Sequence, residues 1–454
     1  MDKKKLLMIC TIVLIFFGIF IFMNYSENAY LLLNKNYNQV VEYLKSGALL
    51  MGGVFYLLKF IHIPAYGIYL VSYLLAFLFT VLSIYELEKI IRKYVSNEFL
   101  SFIITLSILL NPLTGSIWLT IEKGFIMLSI FASVKAYQEW EKYLEKGKKN
   151  FKTVFIWLLL SLISYSTTTN LFIVLSLLPI IRYSKTTNQK LQNLGKTVLI
   201  CGIPTLIKYI WMILLKSDLL GGNLSFFEKG IGSFQMLWND LKNGFYLYKP
   251  FFLPGMFILL IGIAIYFSKA NKKAKSPMPS ILFILGISLL VTIIPMFFQN
   301  IDKMEYTATI YYSLASVTGI IFVLLNKKIK ASFISGFIIL LLLVEYISFS
   351  NAAINRYIEN YKEKDFILNV EERVVEYEES TSQKIEKIAL YKNENSKKRK
   401  DSAMAMYEYY TKRTLEETNQ MDFINTRYFE EKTWDEYAID QAVVMSGAIH
   451  WYLY

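Results

Sequence analysis

The chain has 454 residues, of which 55% are hydrophobic and 16% aromatic, and its formal net charge is +12. A soluble domain averages about 45–50% apolar residues, and the excess here falls in runs of about 15 to 20 residues, the length that crosses a bilayer as a helix. This composition excludes an ordinary soluble protein and predicts an all-α polytopic membrane protein. The positive charges lie in short clusters between the apolar runs, as topology selection requires, which argues against a nucleic-acid partner.

The first apolar run, residues 5–23, follows a basic start and has no small-residue cleavage site after it, so it predicts a retained membrane span. A polar loop follows at 24–47, "NYSENAYLLLNKNYNQVVEYLKSG", and it holds two carboxylates, Glu27 and Glu42. The next segment, 48–63, is apolar but short, so it predicts either a brief span or a helix lying on the membrane surface.

The distribution of Lys and Arg decides between these alternatives. If 48–63 does not cross, the basic clusters at 3–5, 89–93, 142–152, 182–196, 269–275 and 327–330 all fall on one side, as the positive-inside rule requires. This topology has about 11 transmembrane helices, a cytoplasmic N-terminus and extracytoplasmic loops at 24–65 and 216–250. The predicted spans are 5–23, 66–85, 98–112, 117–137, 153–167, 169–182, 197–215, 251–268, 280–298, 305–325 and 332–350.

The composition changes after Asn351, the last residue of the polytopic domain 1–351. Residues 352–454 contain 15 Lys or Arg and 20 Asp or Glu. Helical periodicity follows residue 354, "KIEKIALYKN" is typical of a strand, "SAMAMYEYYTKRTLEETNQ" of a helix, and the C-terminal piece is apolar. About 100 residues can close a small core, so the sequence predicts a small α+β extracytoplasmic domain at 352–454.

The sequence lacks the central residues that several enzyme classes need. The chain has only two histidines, His62 and His450, and neither lies in a metal-ligand spacing or in the motif of a membrane acyltransferase. No glycine-rich phosphate loop occurs. The sequence thus favours chemistry at the outer face, with carboxylates and a membrane-borne activated substrate. No cofactor is firmly implied, although a divalent metal could neutralise a leaving phosphate.

Glycosyl transfer to a hydroxyl needs a carboxylate to accept the proton and cations to offset the leaving phosphate. Outward carboxylates are Glu27, Glu42 and Glu122, and the prediction gives them the catalytic roles. Lys208 lies deep in the span 197–215, where an ionisable residue usually faces a cavity or a partner, although the side chain could instead extend to the interface. The predicted contacts to the donor phosphate are Lys208, Lys123, Lys303 and Lys249.

The order of segments and four stretches of sequence carry a family resemblance. A basic N-terminus, a first span and an outer loop lead into a surface helix, several spans and an outer C-terminal domain. The stretches cover 47–82, 108–140, 293–325 and 351–379 and begin "GALLMGGVFYLL", "ILLNPLTGSIWL", "IIPMFFQNIDKM" and "NAAINRYIENYK". Together they resemble the GT-C-type integral membrane glycosyltransferases, and among these the bacterial Gtr-type glucosyltransferase-like family.

The resemblance implies a polyprenyl-phosphate-linked sugar as donor, commonly glucose, and a cell-surface polysaccharide or glycolipid as acceptor. The family commonly places an adjacent acidic pair in the first outer loop. Here that stretch reads "LNKNYNQVVEYL", with Asn34, Asn36 and Asn38. An amide cannot accept a proton as a carboxylate does, so the catalytic role would pass to Glu27 or Glu42.

Two other classes of function stay open from the sequence. One is a polysaccharide flippase or polymerase, which is expected to line its path with several intramembrane charges. The other is a non-catalytic membrane protein that displays the outer domain. The few charges inside the predicted spans favour the transferase over the flippase.

Overall fold

The structure is a computed structural model that forms two compact units. The first unit takes its residues from 1–23, 40–61 and 67–353, and the second from 24–39, 62–66 and 354–454. The described residues are 3–18, 39–110, 118, 120–146, 151–165, 169–184, 186–217, 317, 319–326, 329–392, 400–413, 415–417, 441–445 and 448–453.

The described part of the first unit is helical, and each apolar segment that it covers forms a helix. α4 and α6 extend beyond the predicted spans at their C-terminal ends, and α9 begins ten residues before its predicted span, because the polar flanks continue the helix. The helices are α1 (Lys3–Phe17), α2 (Gln39–Lys45), α3 (Leu49–Phe60), α4 (Ala65–Arg92), α5 (Glu98–Leu109), α6 (Lys123–Lys146), α7 (Phe151–Ser164), α8 (Thr169–Tyr183), α9 (Thr187–Leu214) and α10 (Ala331–Thr381), whose residues up to 353 belong to this unit.

Helix α6 is the centre of the packing, since it contacts both α7 and α8, and α9 packs on α7 and α8. Small hydroxyl side chains let α6 and α7 approach closely. Ser161 Oγ lies 2.8 Å from Ser129 Oγ and 2.9 Å from Ser133 Oγ, and all three side chains are buried. Small residues and hydroxyl pairs of this kind are typical of helix interfaces in membranes, where close packing and hydrogen bonds replace the hydrophobic effect.

One end of the helix bundle, here called the basic end, brings together the start of α1 and the ends of α4, α6 and α8. Lys5 Nζ lies 2.5 Å from Glu88 Oε2, and the Glu88 side chain is only 1% exposed. Lys93 Nζ donates to the buried Glu141 at 2.6 Å, and Arg182 donates to the carbonyl of Lys93 at 2.5 Å. Residues from three of the predicted basic clusters, 3–5, 89–93 and 182–196, therefore lie at one end of the bundle.

The opposite end, here called the α2 end, contains α2, the part of α4 around Tyr69 and the start of α6. Tyr43 precedes α3 and Tyr69 follows it, yet Tyr43 contacts Glu122 and Tyr69 contacts Lys123. The chain is therefore at the same end of the bundle before α3, at Tyr43, and after it, at Tyr69. The twelve residues of α3 rise about 18 Å, whereas the hydrocarbon core of a bilayer is about 30 Å thick.

Two helices are long and apolar enough to cross a membrane by length and composition, Gly67–Arg92 and Thr187–Leu214. Five shorter apolar helices accompany them within the described residues: Leu49–Phe60, Glu98–Leu109, Phe151–Ser164, Asn170–Tyr183 and Ala331–Leu343. The predicted spans 251–268 and 280–298 lie outside the described residues, as do 305–316 and 318 of the predicted span 305–325. The structure thus gives a mostly helical chain with two candidate membrane helices, and not the full set of 11 spans.

The second unit contains the C-terminal part of α10 and a small mixed sheet in the order β2-β1-β4-β3. β1 is parallel to β2 and β4, and β3 is antiparallel to β4. Trp451 on β4 is buried against Phe366 and Tyr407. The elements are β1 (Lys387–Lys392), α11 (Lys400–Thr411), β2 (Glu416–Glu417), β3 (Gln441–Met445) and β4 (Ala448–Leu453).

The predicted strand in 384–393 is confirmed as β1, and the helix that continues from residue 354 is confirmed as the end of α10. The predicted helix in 402–420 forms only to Thr411, and β2 follows it. The apolar C-terminal piece forms the antiparallel pair β3 and β4.

Candidate functional site

The structure gathers four of the seven predicted site residues at the α2 end: Glu42, Glu122, Lys123 and Lys208. The other three, Glu27, Lys249 and Lys303, lie outside the described residues. The four residues come from α2, the start of α6 and α9, so distant parts of the sequence build one region.

Tyr43 connects α2 to the start of α6. Its hydroxyl donates to Glu122 Oε1 at 2.5 Å, across 79 residues of sequence. Tyr43 is 2% exposed and Glu122 8% exposed, so this hydrogen bond is shielded from water. A hydrogen bond to a carboxylate in such surroundings is stronger than one between neutral groups, and it fixes the turn of α2 that carries Glu42.

Lys123, the neighbour of Glu122, is fully buried and has polar partners of its own. Its ammonium donates to the carbonyl of Thr120 at 2.9 Å and to that of Trp118 at 3.3 Å. It also lies 3.5 Å from the centre of the Tyr69 ring, a cation–π distance. The carbonyl oxygens and the ring face compensate the charge of the Lys123 ammonium, and these contacts define the turn from which α6 begins.

Ser72 of α4 holds this turn from the other side. Its hydroxyl donates to the carbonyl of Ile121 and accepts from the backbone N–H of Gly124 at 3.1 Å. A Cβ at Gly124 would lie 2.7 Å from the carbonyl oxygen of Ser72, so only glycine allows α4 and α6 to approach this closely.

An aromatic layer lies beside the Glu122–Lys123 turn. The rings of Phe17 and Trp118 stack with centroids 3.8 Å apart, and Tyr73 donates to the carbonyl of Phe17 at 3.1 Å. Phe55 of α3 packs on Tyr43. The end of α1 and the helices α3 and α4 therefore meet at this turn.

Lys208 lies against the residue that ends α2. Gly47 has a φ of +81°, and its N–H donates to the carbonyl of Leu44 at 3.1 Å, as expected of a glycine that terminates a helix. A Cβ at Gly47 would come within 2.8 Å of the Lys208 side chain. One turn further along α9, the indole N–H of Trp211 donates to the carbonyl of Leu44 at 3.0 Å.

Glu42 is the accessible carboxylate among the predicted site residues that the structure describes. Its side chain is 41% exposed, and it pairs with Lys45, which is 33% exposed, at 3.4 Å. This pair is longer than an ordinary hydrogen bond, so a ligand could exchange with it at little cost.

The arrangement offers one accessible carboxylate, a buried carboxylate that fixes its helix, and Lys208 beside the same helix end. In this arrangement Glu42 can accept a proton while Lys208 contacts a negatively charged group of a ligand. No group of three or more His, Cys, Asp or Glu that could hold a metal ion occurs among the described residues.

The sequence reasoning missed Tyr43, Tyr69 and Ser72. Tyrosine and serine are common in membrane helices, and their partners are about fifty to eighty residues away, so no spacing within a helix could have indicated them. The only available signal was the position of Tyr43 directly after Glu42.

The comparisons with known proteins add no relative: no family model, no curated protein and no solved structure matches this chain.

Proposed function

We propose that the chain is a membrane glycosyltransferase that moves a hexose, with glucose as the first candidate, from a polyprenyl-phosphate-sugar to a cell-surface polysaccharide or glycolipid. The reaction would occur at the outer face of the cytoplasmic membrane, with 11 spans and the second unit outside. The carrying observation is that the accessible Glu42 lies on α2, which the Tyr43–Glu122 hydrogen bond fixes and whose end, at Gly47, lies against Lys208 of α9.

In the proposed step, Glu42 accepts the proton of the acceptor hydroxyl as that oxygen bonds to the anomeric carbon. The bond between the anomeric carbon and the phosphate oxygen breaks, and polyprenyl phosphate leaves. Lys208 and Lys45 offset the negative charge of the leaving phosphate. Glu27, Lys249 and Lys303 are further candidates for proton transfer and phosphate contact.

Glu122 and Lys123 have a different part in this proposal. Both are buried, and the described contacts of Lys123 go to carbonyl oxygens and a ring. We therefore give them positioning roles: Glu122 holds Tyr43, and Lys123 holds the turn before α6. Neither needs to touch the donor.

The decisive experiment compares cell-surface glycans in the native host. Deletion of the gene should remove one hexose from a surface glycan, and the wild-type gene should restore it. Glu42→Gln should restore less than 1% of the wild-type level, since general-base catalysis contributes about 10²–10⁴-fold. Glu139→Gln is the matched control, because Glu139 also pairs with a lysine three residues away, Lys142, but on α6 and away from the α2 end.

Full complementation by Glu42→Gln and by Glu27→Gln, singly and together, would refute the catalytic assignment. An unchanged surface glycan in the deletion strain would refute the transferase proposal as a whole. Purified protein with polyprenyl-phosphate-glucose in vesicles then separates donor hydrolysis from acceptor transfer.

The orientation can be tested independently. We expect a cysteine at His62, in the turn after α3, to react with a membrane-impermeant maleimide added to intact cells. A cysteine at Lys142 should react only after the cells are opened. The opposite pattern would place the turn after α3 in the cytoplasm and contradict the proposed orientation.

A further inference from the structure

A groove at the basic end is separate from the candidate site. It lies between the start of α1, the end of α4 and the start of α5, and its volume is about 740 Å³, within the range of small-molecule pockets. The "basic groove" is defined by the cationic side chains Lys5, Lys89 and Arg92 and by the apolar side chains Met8, Phe99 and Phe102.

A buried carboxylate holds two of the cations in place. Glu88, 1% exposed, pairs with Lys5 at 2.5 Å and with Arg92. Arg92 also pairs with Glu98, but a guanidinium has five N–H donors, so these two pairs leave donors for a further acceptor.

Lys89 is the most accessible cation of the groove. Its side chain is 49% exposed, and its pair with Glu86 measures 3.4 Å, longer than an ordinary hydrogen bond. The Lys89 ammonium also lies 4.0 Å from the centre of the Tyr85 ring, one turn earlier on the same face of α4, and this contact orients the ammonium. An anion can therefore reach it without breaking a tight ion pair.

The charge balance and the apolar surface together indicate the ligand. Among the lining residues, Lys5, Lys89 and Arg92 against Glu88 and Glu98 leave one net positive charge, and Glu86, which pairs with Lys89 from outside the lining, also pairs with Lys135. The same groove exposes apolar surface, with Met8 44% exposed and Phe99 58% exposed. A soluble anion would leave those side chains uncovered, whereas a phospholipid presents a phosphate and acyl chains together.

We propose that the basic groove binds one anionic phospholipid of the cytoplasmic leaflet. Its phosphate contacts Lys89 and Arg92, and its acyl chains lie on Met8, Phe99 and Phe102. Basic pockets between helices on the cytoplasmic side are known to take anionic head groups. The inference shares with the proposed function only the membrane position of the helices, and it does not depend on the reaction at the α2 end.

The test is native mass spectrometry of the full-length protein in detergent, titrated with phosphatidylglycerol and with phosphatidylcholine of the same acyl chains. We expect preferential binding of phosphatidylglycerol by the wild type. Lys89→Gln should weaken that binding about fivefold, since one cation near an anionic lipid contributes about 1 kcal/mol. Lys142→Gln should leave it unchanged. Lys142 is the matched control, because it is 50% exposed and pairs with a glutamate three residues before it, as Lys89 does.

Three outcomes would overturn the inference. The first is equal affinity for the two lipids, and the second is the same loss in Lys89→Gln and Lys142→Gln. The third is displacement of phosphatidylglycerol by inorganic phosphate or by its soluble head group at equal concentration, which would make the groove a site for a soluble anion. Phe99→Ala provides an independent check, since it should weaken lipid binding without changing any charge.

Discussion

The hydrogen bond from Tyr43 to Glu122 gives the sharpest prediction, because it joins α2 to the bundle and both side chains are buried. Tyr43→Phe removes one hydroxyl and keeps the ring that packs on Phe55. The buried carboxylate then loses a donor at 2.5 Å without a change in the shape of the core.

The magnitude follows from the kind of acceptor. A hydrogen bond to a charged group contributes about 1.5–3 kcal/mol in proteins, whereas measured values between membrane helices average about 0.6 kcal/mol and reach about 1.7. Since Glu122 is 8% exposed and Tyr43 is 2% exposed, water can replace the lost donor only in part. We expect Tyr43→Phe to lower the free energy of unfolding by about 1–2 kcal/mol.

The assay is reversible unfolding in mixed detergent micelles, with Tyr73→Phe as the control. Tyr73 is also buried, but it donates to a neutral carbonyl, that of Phe17, at 3.1 Å, so its loss should cost about half as much. A double-mutant cycle with Glu122→Gln should give a coupling energy of about 1 kcal/mol. Equal losses for the two tyrosine variants, or a coupling energy near zero, would refute the positioning role of the Tyr43–Glu122 pair.

Two further predictions address the end of α2 and the second unit. Gly47→Ala should lower the free energy of unfolding by about 1–2 kcal/mol, because Gly47 has a φ of +81° and the added Cβ would meet Lys208 at 2.8 Å. The control is Gly53→Ala, whose added Cβ would have no atom within 4 Å, and it should be neutral or slightly stabilising in the same micelle assay. Arg413 pairs with Glu378 at 2.8 Å and holds the pKa of that carboxyl below its ordinary 4.5. That stabilisation is present above pH 4.5 and is lost as the pH falls through the lowered pKa, so the protection factor of the β1 amides, which corrects for the slower intrinsic exchange in acid, should fall on acidification in the wild type and respond less in Arg413→Gln. Equal responses of the two proteins to acid would contradict this assignment.

Much of the fold was predictable because its signals are local. Apolar runs, basic flanks and a change of composition at residue 351 depend on neighbouring residues, and the described helices follow them. For the segment 48–63, the prediction from charge distribution can be set beside the contacts of the flanking residues. The charge distribution predicts that this segment does not cross, and this stays a prediction. Tyr43, which precedes the segment, and Tyr69, which follows it, contact the same Glu122–Lys123 turn.

The candidate site was less predictable because its contacts are distant in sequence. Glu122 and Lys123 stood out as charges at the mouth of a span, but burial and partners decide what such charges do. Lys123 donates to carbonyls of its own turn, a result of how α4, with Tyr69 and Ser72, packs against that turn. Sequence periodicity identifies which face of a helix is apolar, but not which tyrosine of another helix covers a lysine.

Charges of the bundle differ in whether they can exchange partners: buried ion pairs cannot, whereas exposed charges in loose pairs, such as Lys89 at the basic end and Glu42 at the α2 end, can. At the basic end, the buried Glu88 pairs at a short distance with Lys5 of α1, and the buried Glu141 pairs with Lys93, the residue after α4, so breaking either pair would leave a buried charge uncompensated. At the α2 end, Glu42 is 41% exposed and its pair is loose, so it can bind a ligand or a proton without unfolding its surroundings. Catalysis needs an accessible charge that can exchange partners, held in place by buried contacts that cannot. Glu42→Gln is therefore the most informative single variant. It should abolish transfer and leave the free energy of unfolding nearly unchanged, whereas Tyr43→Phe should lower that free energy.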